Sequence, residues 1–195
     1  MRVMNAATTR IGTLAGEAID LFNAAVQQTP PESWDRPSNM AGWSLRELAG
    51  HATGSAAKIV AHLEGGEVSR VPSEPADWVC DDPAARLCEL AARMRAALPH
   101  ADWDAPRPSP QGEVPLHRAL VYPVSDLALH SWDVHRSQGR RIELPDDLLT
   151  LCREVVESVP EAALRRPGGF GPAQPVPPDA TPTARLMAFL GRSVD

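Results

Sequence analysis

The chain has 195 residues, enough for one domain with a real core, and its 43% hydrophobic and 23% charged residues are the balance of a globular protein in water. A net charge of −6 without any basic block excludes nucleic acid as the main partner, because phosphate binding needs clustered Lys and Arg. No apolar run nears the roughly 20 residues of a membrane span, and the first residues lack a signal peptide's continuous apolar core. A cytoplasmic protein is therefore expected.

Helical periodicity begins at about Ala6 and runs to Gln28, with Ile11, Leu14, Ala18, Leu21, Phe22 and Ala25 spaced at three and four. A second helix opens at "GWSLREL". Ser44 is a good N-cap and Glu47, three residues on, completes a capping box. Its stripe is Leu45, Leu48, Ala52, Ala56, Ile59 and Leu63. After a polar loop, Asp82 and Pro83 start a third helix, "PAARLCELAARMRAAL". A second long connection, "PHADWDAPRPSPQGEVP", leads to a fourth helix from about Leu116 to Ser137. A shorter helix follows at "DDLLTLCREVVESV", then a Pro/Gly-rich tail ending in one or two helical turns. No period-2 strand pattern of any length is present. Four long amphipathic helices and long connections predict an all-α fold, a four-helix bundle with additions. One domain over residues 1–195 is expected, its core about 6–140 and a C-terminal extension about 141–195.

Cys80, Cys88 and Cys152 form no CxxC and are read as free thiols. The chemistry concentrates in the fourth helix. At about 100° per residue, Leu120, Leu127 and Val134 share a stripe with Asp126 and His130, whereas Leu129, Trp132 and Asp133 point elsewhere. A carboxylate and an imidazole four residues apart are neighbours, and costly in a core unless they pair, hydrogen-bond or bind metal. Two readings stand at this point: a satisfied core pair with a charged His, or half of a metal site. Pro123 requires a kink or a restart of the helix just before the pair.

A third ligand has to come from another helix. His51 lies beside Leu48 on the second; His62 is three turns further, roughly 16 Å by helical rise, so the two cannot share one ion. His100 and His117 sit in or next to loops, and His135 falls off the inner face. His51 and His130 are the best-placed pair of the six. Trp43 and Trp132, beside these residues in sequence, either pack helix ends or wall a pocket; Arg46 and Arg136 are surface or ion-pair residues.

The segment "WDRPSNMAGWSLRELAGH" resembles the W-x-x-P-T-x-C-x-G-W-x-V-R-D-L-V-x-H signature of mycothiol-dependent maleylpyruvate isomerases, a branch of the DinB-like superfamily. "SDLALHSWDVHRSQG" resembles their second signature, an acidic residue followed four later by His. The tail "FGPAQPVPPDATPTARLMAFLGR" is similar to the ending of short actinobacterial DinB-like metal-binding proteins. The resemblance implies a DinB-like bundle with long crossover loops and a divalent metal, zinc in the isomerase, held by His51, Asp126 and His130. It further implies mycothiol as cosubstrate and a small electrophilic substrate, hence an S-transferase or isomerase, as monomer or homodimer. A thiol-independent metal hydrolase, a secondary-metabolite tailoring enzyme and a non-enzymatic metal-binding module are the alternatives. Two departures matter: the isomerase has Glu where this chain has Asp126, and the signature's Cys is Met40 here. The isomerase also has a second domain, for which this chain offers only its short tail.

Overall fold

Two of the four long helices, α1 (Ala6–Gln27) and α2 (Leu45–Leu63), face each other across a diagonal. Both pack on α3 (Pro83–Ala97) and on α5 (Val121–Arg136), so the ring runs α1–α5–α2–α3. The computed structural model describes residues 6–72, 74–109, 112–165 and 169–194, with side chains from Arg10 onward. Because α1–α2 and α3–α5 are diagonal pairs, the connections joining them must cross the bundle, which accounts for their length. No helix among the described residues is long and apolar enough to cross a membrane.

Local sequence sets the helix ends. Ser44 Oγ accepts from the Glu47 N–H (3.2 Å) while the Glu47 carboxylate accepts from the Ser44 N–H (2.7 Å), the reciprocal capping box expected. Asp82 caps α3 through the Ala85 N–H, with Pro83 in the first turn. Of the kink or restart expected at Pro123, the structure has the restart. A short helix α4 (Leu116–Ala119) ends at Leu120, and α5 restarts at Val121 with Pro123 in its first turn, where a missing N–H costs nothing. The core is built of the predicted stripes: Leu14, Ile19 and Phe22 from α1, Leu48 and Ile59 from α2, Leu127 and Val134 from α5, all 2% exposed or less.

Two expectations need correction. Residues Pro106–Ser109 and Gly112–Pro115, expected as coil, form antiparallel strands β1 and β2, with Arg107 opposite Val114. Strands of four residues with proline at the ends leave no readable alternation. The ribbon is tied to the end of α2, where Arg107 Nε donates to the His62 carbonyl (2.7 Å). Second, Asp133, Leu129 and Trp132, expected to point away from the core, are buried, as is His135. The reason is that α5 is covered on several sides, by α1, α2 and α6 (Asp146–Ser158). His62, three turns along α2 from His51, is buried as well, at 5% exposure.

Beyond α6, a short α7 (Glu161–Leu164) leads to coil and to α8 (Pro182–Phe189), capped by Thr181. The tail is anchored: Thr183 Oγ1 accepts from the Leu144 N–H (3.1 Å) and the Gln174 N–H donates to the Ala188 carbonyl (2.8 Å). All three cysteines are free thiols, as expected.

Glycine placement yields a first test. A Cβ on Gly50 would lie 2.8 Å from the Pro75 carbonyl oxygen, because the 3₁₀ turn Pro75–Trp78 rests directly on α2. A Cβ on Gly16 meets nothing within 4 Å, in the middle of α1. Gly16→Ala should therefore stabilise the fold by about 0.5–1 kcal/mol through reduced chain entropy. Gly50→Ala should destabilise it by about 1–3 kcal/mol through overpacking against backbone. Chemical denaturation of both variants checks the opposite signs.

His62 yields a second. Burial, assisted by the Arg107 charge, pushes its imidazole down to about 4, and no partner to its Nδ1 is found among the described residues. The unfolded chain therefore takes up a proton near pH 6.5 that the folded one resists to about pH 4. Stability should be full above that window and fall as pH drops through it, by up to about 1.4 kcal/mol per pH unit. In His62→Leu the slope of unfolding free energy against pH between 6.5 and 4 should be shallower by about one proton.

Candidate metal centre

The adjacency of α2 and α5 places His51 opposite Asp126 and His130. His51 Nε2 is 3.6 Å from one Asp126 oxygen, and His130 Nε2 is 3.4 Å from the other. The three potential ligand atoms all lie within 4.8 Å of one another. The two imidazoles meet edge to face, their centroids 4.9 Å apart. These spacings suit a cation: ligand atoms about 2.0–2.2 Å from one ion are themselves about 3.3–3.6 Å apart. The donor set, two imidazole nitrogens and a carboxylate oxygen, is one that zinc and similar divalent ions accept. Asp126 and His51 are each about one-third exposed while His130 is buried, so the cluster opens toward solvent on one side.

Each donor is oriented from behind. Ser55, one turn along α2 from His51, donates its hydroxyl to Asp126 Oδ2 (2.6 Å). His130 Nδ1 bonds Asp133 Oδ2 (2.9 Å), which leaves Nε2 directed at Asp126. Such a carboxylate behind an imidazole is the usual device for fixing the tautomer and orientation of a metal-binding His. Asp133 is fully buried, and its other contacts come from Asn39 Nδ2 (2.7 Å) and Arg192 Nη2 and Nε (3.0 and 3.3 Å). Trp43 leans over His51 with ring centroids 5.0 Å apart, so it lines the cluster in addition to ending the loop before α2. Trp132 is buried packing. Arg46 pairs with Asp35 (3.0 Å), an ion-pair residue as expected.

The charges are mutually dependent. Burial acts to raise the Asp126 carboxyl, but the facing His130 and His51 imidazoles outweigh it and hold it well below the usual carboxylate range. Burial likewise acts to lower His130, and the Asp126 and Asp133 carboxylates reverse this, holding it up at about 9. Asp133 is drawn down to about 2, against burial, by the Arg192 guanidinium and then His130. Burial pushes the Cys152 thiol up to about 11, so this nearby cysteine stays protonated at neutral pH and is no nucleophile.

His100, His117 and His62 take no part in the described cluster, whose members are His51, Asp126 and His130. Sequence reasoning missed Asp133, Ser55, Asn39 and Arg192. Asp133 stands three residues after His130, a spacing that puts the two side by side on a helix, and that signal was available. Nothing in the sequence pairs Arg192 with it.

A helical bundle with a histidine–carboxylate cluster between two adjacent helices is the class that fold and site define. The model of the mycothiol maleylpyruvate isomerase N-terminal domain matches residues 15–135, and the chain belongs to that family. Two uncharacterized proteins from two strains of Mycobacterium tuberculosis, MT0763 and Rv0738, are each 26% identical over 186 residues, covering 91% of this chain and 94% of theirs. The crystal structure of the mycothiol-dependent maleylpyruvate isomerase superposes with a TM-score of 0.60 at 16% identity, over 75% of this chain and 68% of that one. A histidine-to-alanine mutant of the same enzyme gives 0.55 over the same shares. The DinB-like bundle fold expected from the sequence is thereby established.

Proposed function

We propose that the chain is a metal-dependent enzyme that uses mycothiol as a thiol cosubstrate, transferring it to, or isomerising, a small electrophilic metabolite. The observation that carries this reading is the convergence of three donor atoms within 4.8 Å, from two helices, at a site open on one side. Membership of the isomerase family supports the choice of mycothiol.

His51, Asp126 and His130 would hold the ion. A bound divalent ion such as zinc supplies the positive charge that keeps a thiol deprotonated at neutral pH and polarises an electrophile. Asp133 holds the His130 ring so that its Nε2 is the atom offered, and Ser55 holds one Asp126 oxygen. Three protein donors leave a coordination position free, the arrangement of a catalytic rather than a structural site. The Trp43 ring beside His51 offers an apolar wall against which a small conjugated substrate can lie.

Elemental analysis of the purified protein, followed by turnover assays with and without mycothiol, tests the proposal. Activity that is indifferent to mycothiol would favour a metal-dependent hydrolase instead. His51→Ala and His130→Ala should each lose stoichiometric divalent metal while far-UV circular dichroism stays helical, because the core of Leu48, Leu127 and their neighbours is untouched. If both variants keep full metal content, the ligand assignment is wrong. Asp126→Asn, which keeps shape but removes charge, should weaken zinc affinity at least tenfold, about 1.4 kcal/mol. Asp126→Glu should retain the metal, as measured by chelator competition.

A further inference from the structure

We propose that Arg192 is a positioning residue of the cluster: the end of the chain locks the Asp133 carboxylate, and through it the orientation of His130. The role in metal binding rests on the reading above; the orientation of His130 does not.

An ionised carboxylate offers about four lone-pair sites. In Asp133 all four are used. Oδ2 accepts from His130 Nδ1 and Arg192 Nη2, and Oδ1 from Asn39 Nδ2 and Arg192 Nε. Among the described residues Arg192 alone contacts both oxygens, with the planar fork that fixes a carboxylate's rotation as well as its charge. Asn39 holds one oxygen only and brings no charge. If Arg192 is removed, the fully buried carboxylate keeps His130 and Asn39 but loses its strongest countercharge, and the torsion that aims Oδ2 at Nδ1 is no longer fixed.

The tail is shaped to deliver this residue. Arg192 is 5% exposed, its Nη1 donates to the Leu190 carbonyl (3.0 Å), and its guanidinium stacks 5.2 Å from the Phe170 ring centroid. Gly191, just before it, has φ +88°, and a Cβ there would lie 2.8 Å from Gly171 Cα. Only glycine permits both the left-handed turn and this backbone contact. Arg192 lies 57 residues beyond the end of the family match at residue 135 (192 − 135), so a feature outside the shared domain supports the cluster inside it.

The test uses the full chain with Arg192→Ala, Arg192→Lys and Gly191→Ala, alongside Asp133→Asn. In the metal-free protein, ¹H–¹⁵N NMR of histidine side chains should show a His130 Nδ1–H signal protected from solvent exchange. That signal should be lost or exchange-broadened in Arg192→Ala and Gly191→Ala, and partly kept in Arg192→Lys. With metal, the Ala variant should bind zinc at least tenfold more weakly in chelator competition, and its cobalt(II) visible spectrum should differ from the parent's. Its zinc affinity should not fall further when Asp133→Asn is added. An unchanged His130 signal, together with cobalt spectrum and zinc affinity within twofold of the parent, overturns the proposal whatever happens to the melting temperature, since a plain structural staple would lower only that. Should Arg192→Ala not fold, Arg192→Lys decides by the same readouts, because lysine keeps the charge and loses the fork. If the parent binds no divalent metal, the functional reading falls, and the NMR signal still decides the role of Arg192.

Discussion

A carboxylate with no exposure to water is tolerable only when every oxygen is answered by a donor and the charge by a cation, and Asp133 meets both conditions. Its partners come from three separate parts of the chain: His130 on its own helix, Asn39 from the connection before α2, and Arg192 from the tail. Ser137 reinforces the junction, donating to Asn39 Oδ1 (3.1 Å) and accepting from the Asn39 N–H (3.0 Å). The bundle core alone would hold α2 against α5. The polar junction adds register, since the loop before α2, the end of α5 and the tail can meet in this way only if α2 and α5 are correctly phased.

The same junction explains how a site can be both rigid and open. The donors are backed on the buried side by Asp133 and Ser55, while the face carrying Asp126 and His51 stays about one-third exposed. Small residues on α2 make this possible. Gly50 and Gly54 let the Pro75–Trp78 turn lie directly on the helix, with the Trp78 indole 2.9 Å from where a Gly54 Cβ would be. That flank of α2 is sealed without bulky side chains, and His51 projects from the neighbouring flank.

Much of this was legible in the sequence, for identifiable reasons. Helices α1, α2, α3 and α5 carry apolar spacings of three and four, and Ser44–Glu47 and Asp82–Pro83 mark starts that depend only on adjacent residues. Asp126 and His130 were conspicuous because two ionisable groups interrupt an apolar stripe. Asp133 was misplaced because a helical wheel assumes one buried face, whereas α5 is surrounded by α1, α2 and α6. The β1–β2 ribbon and the Arg192 contact were illegible for different reasons. The first is too short to show alternation, and the second joins positions 59 residues apart with no shared periodicity.

That separation bears on the order in which the molecule can assemble. Helical packing among α1, α2, α3 and α5 needs residues only up to 136, and its contacts can form while the remainder of the chain is still being synthesised. The junction at Asp133 cannot close until position 192 has been made, because the guanidinium that bonds both of its oxygens arrives there. A nascent bundle must therefore carry a buried or half-buried aspartate without its guanidinium for as long as the 56 residues from 137 to 192 take to appear. Long-range contacts of this kind are slow to form, since loop closure comes before any gain. The junction at Asp133 is thus completed only after the helices it joins can pack, and a chain that ends before position 192 lacks the guanidinium that holds both Asp133 oxygens.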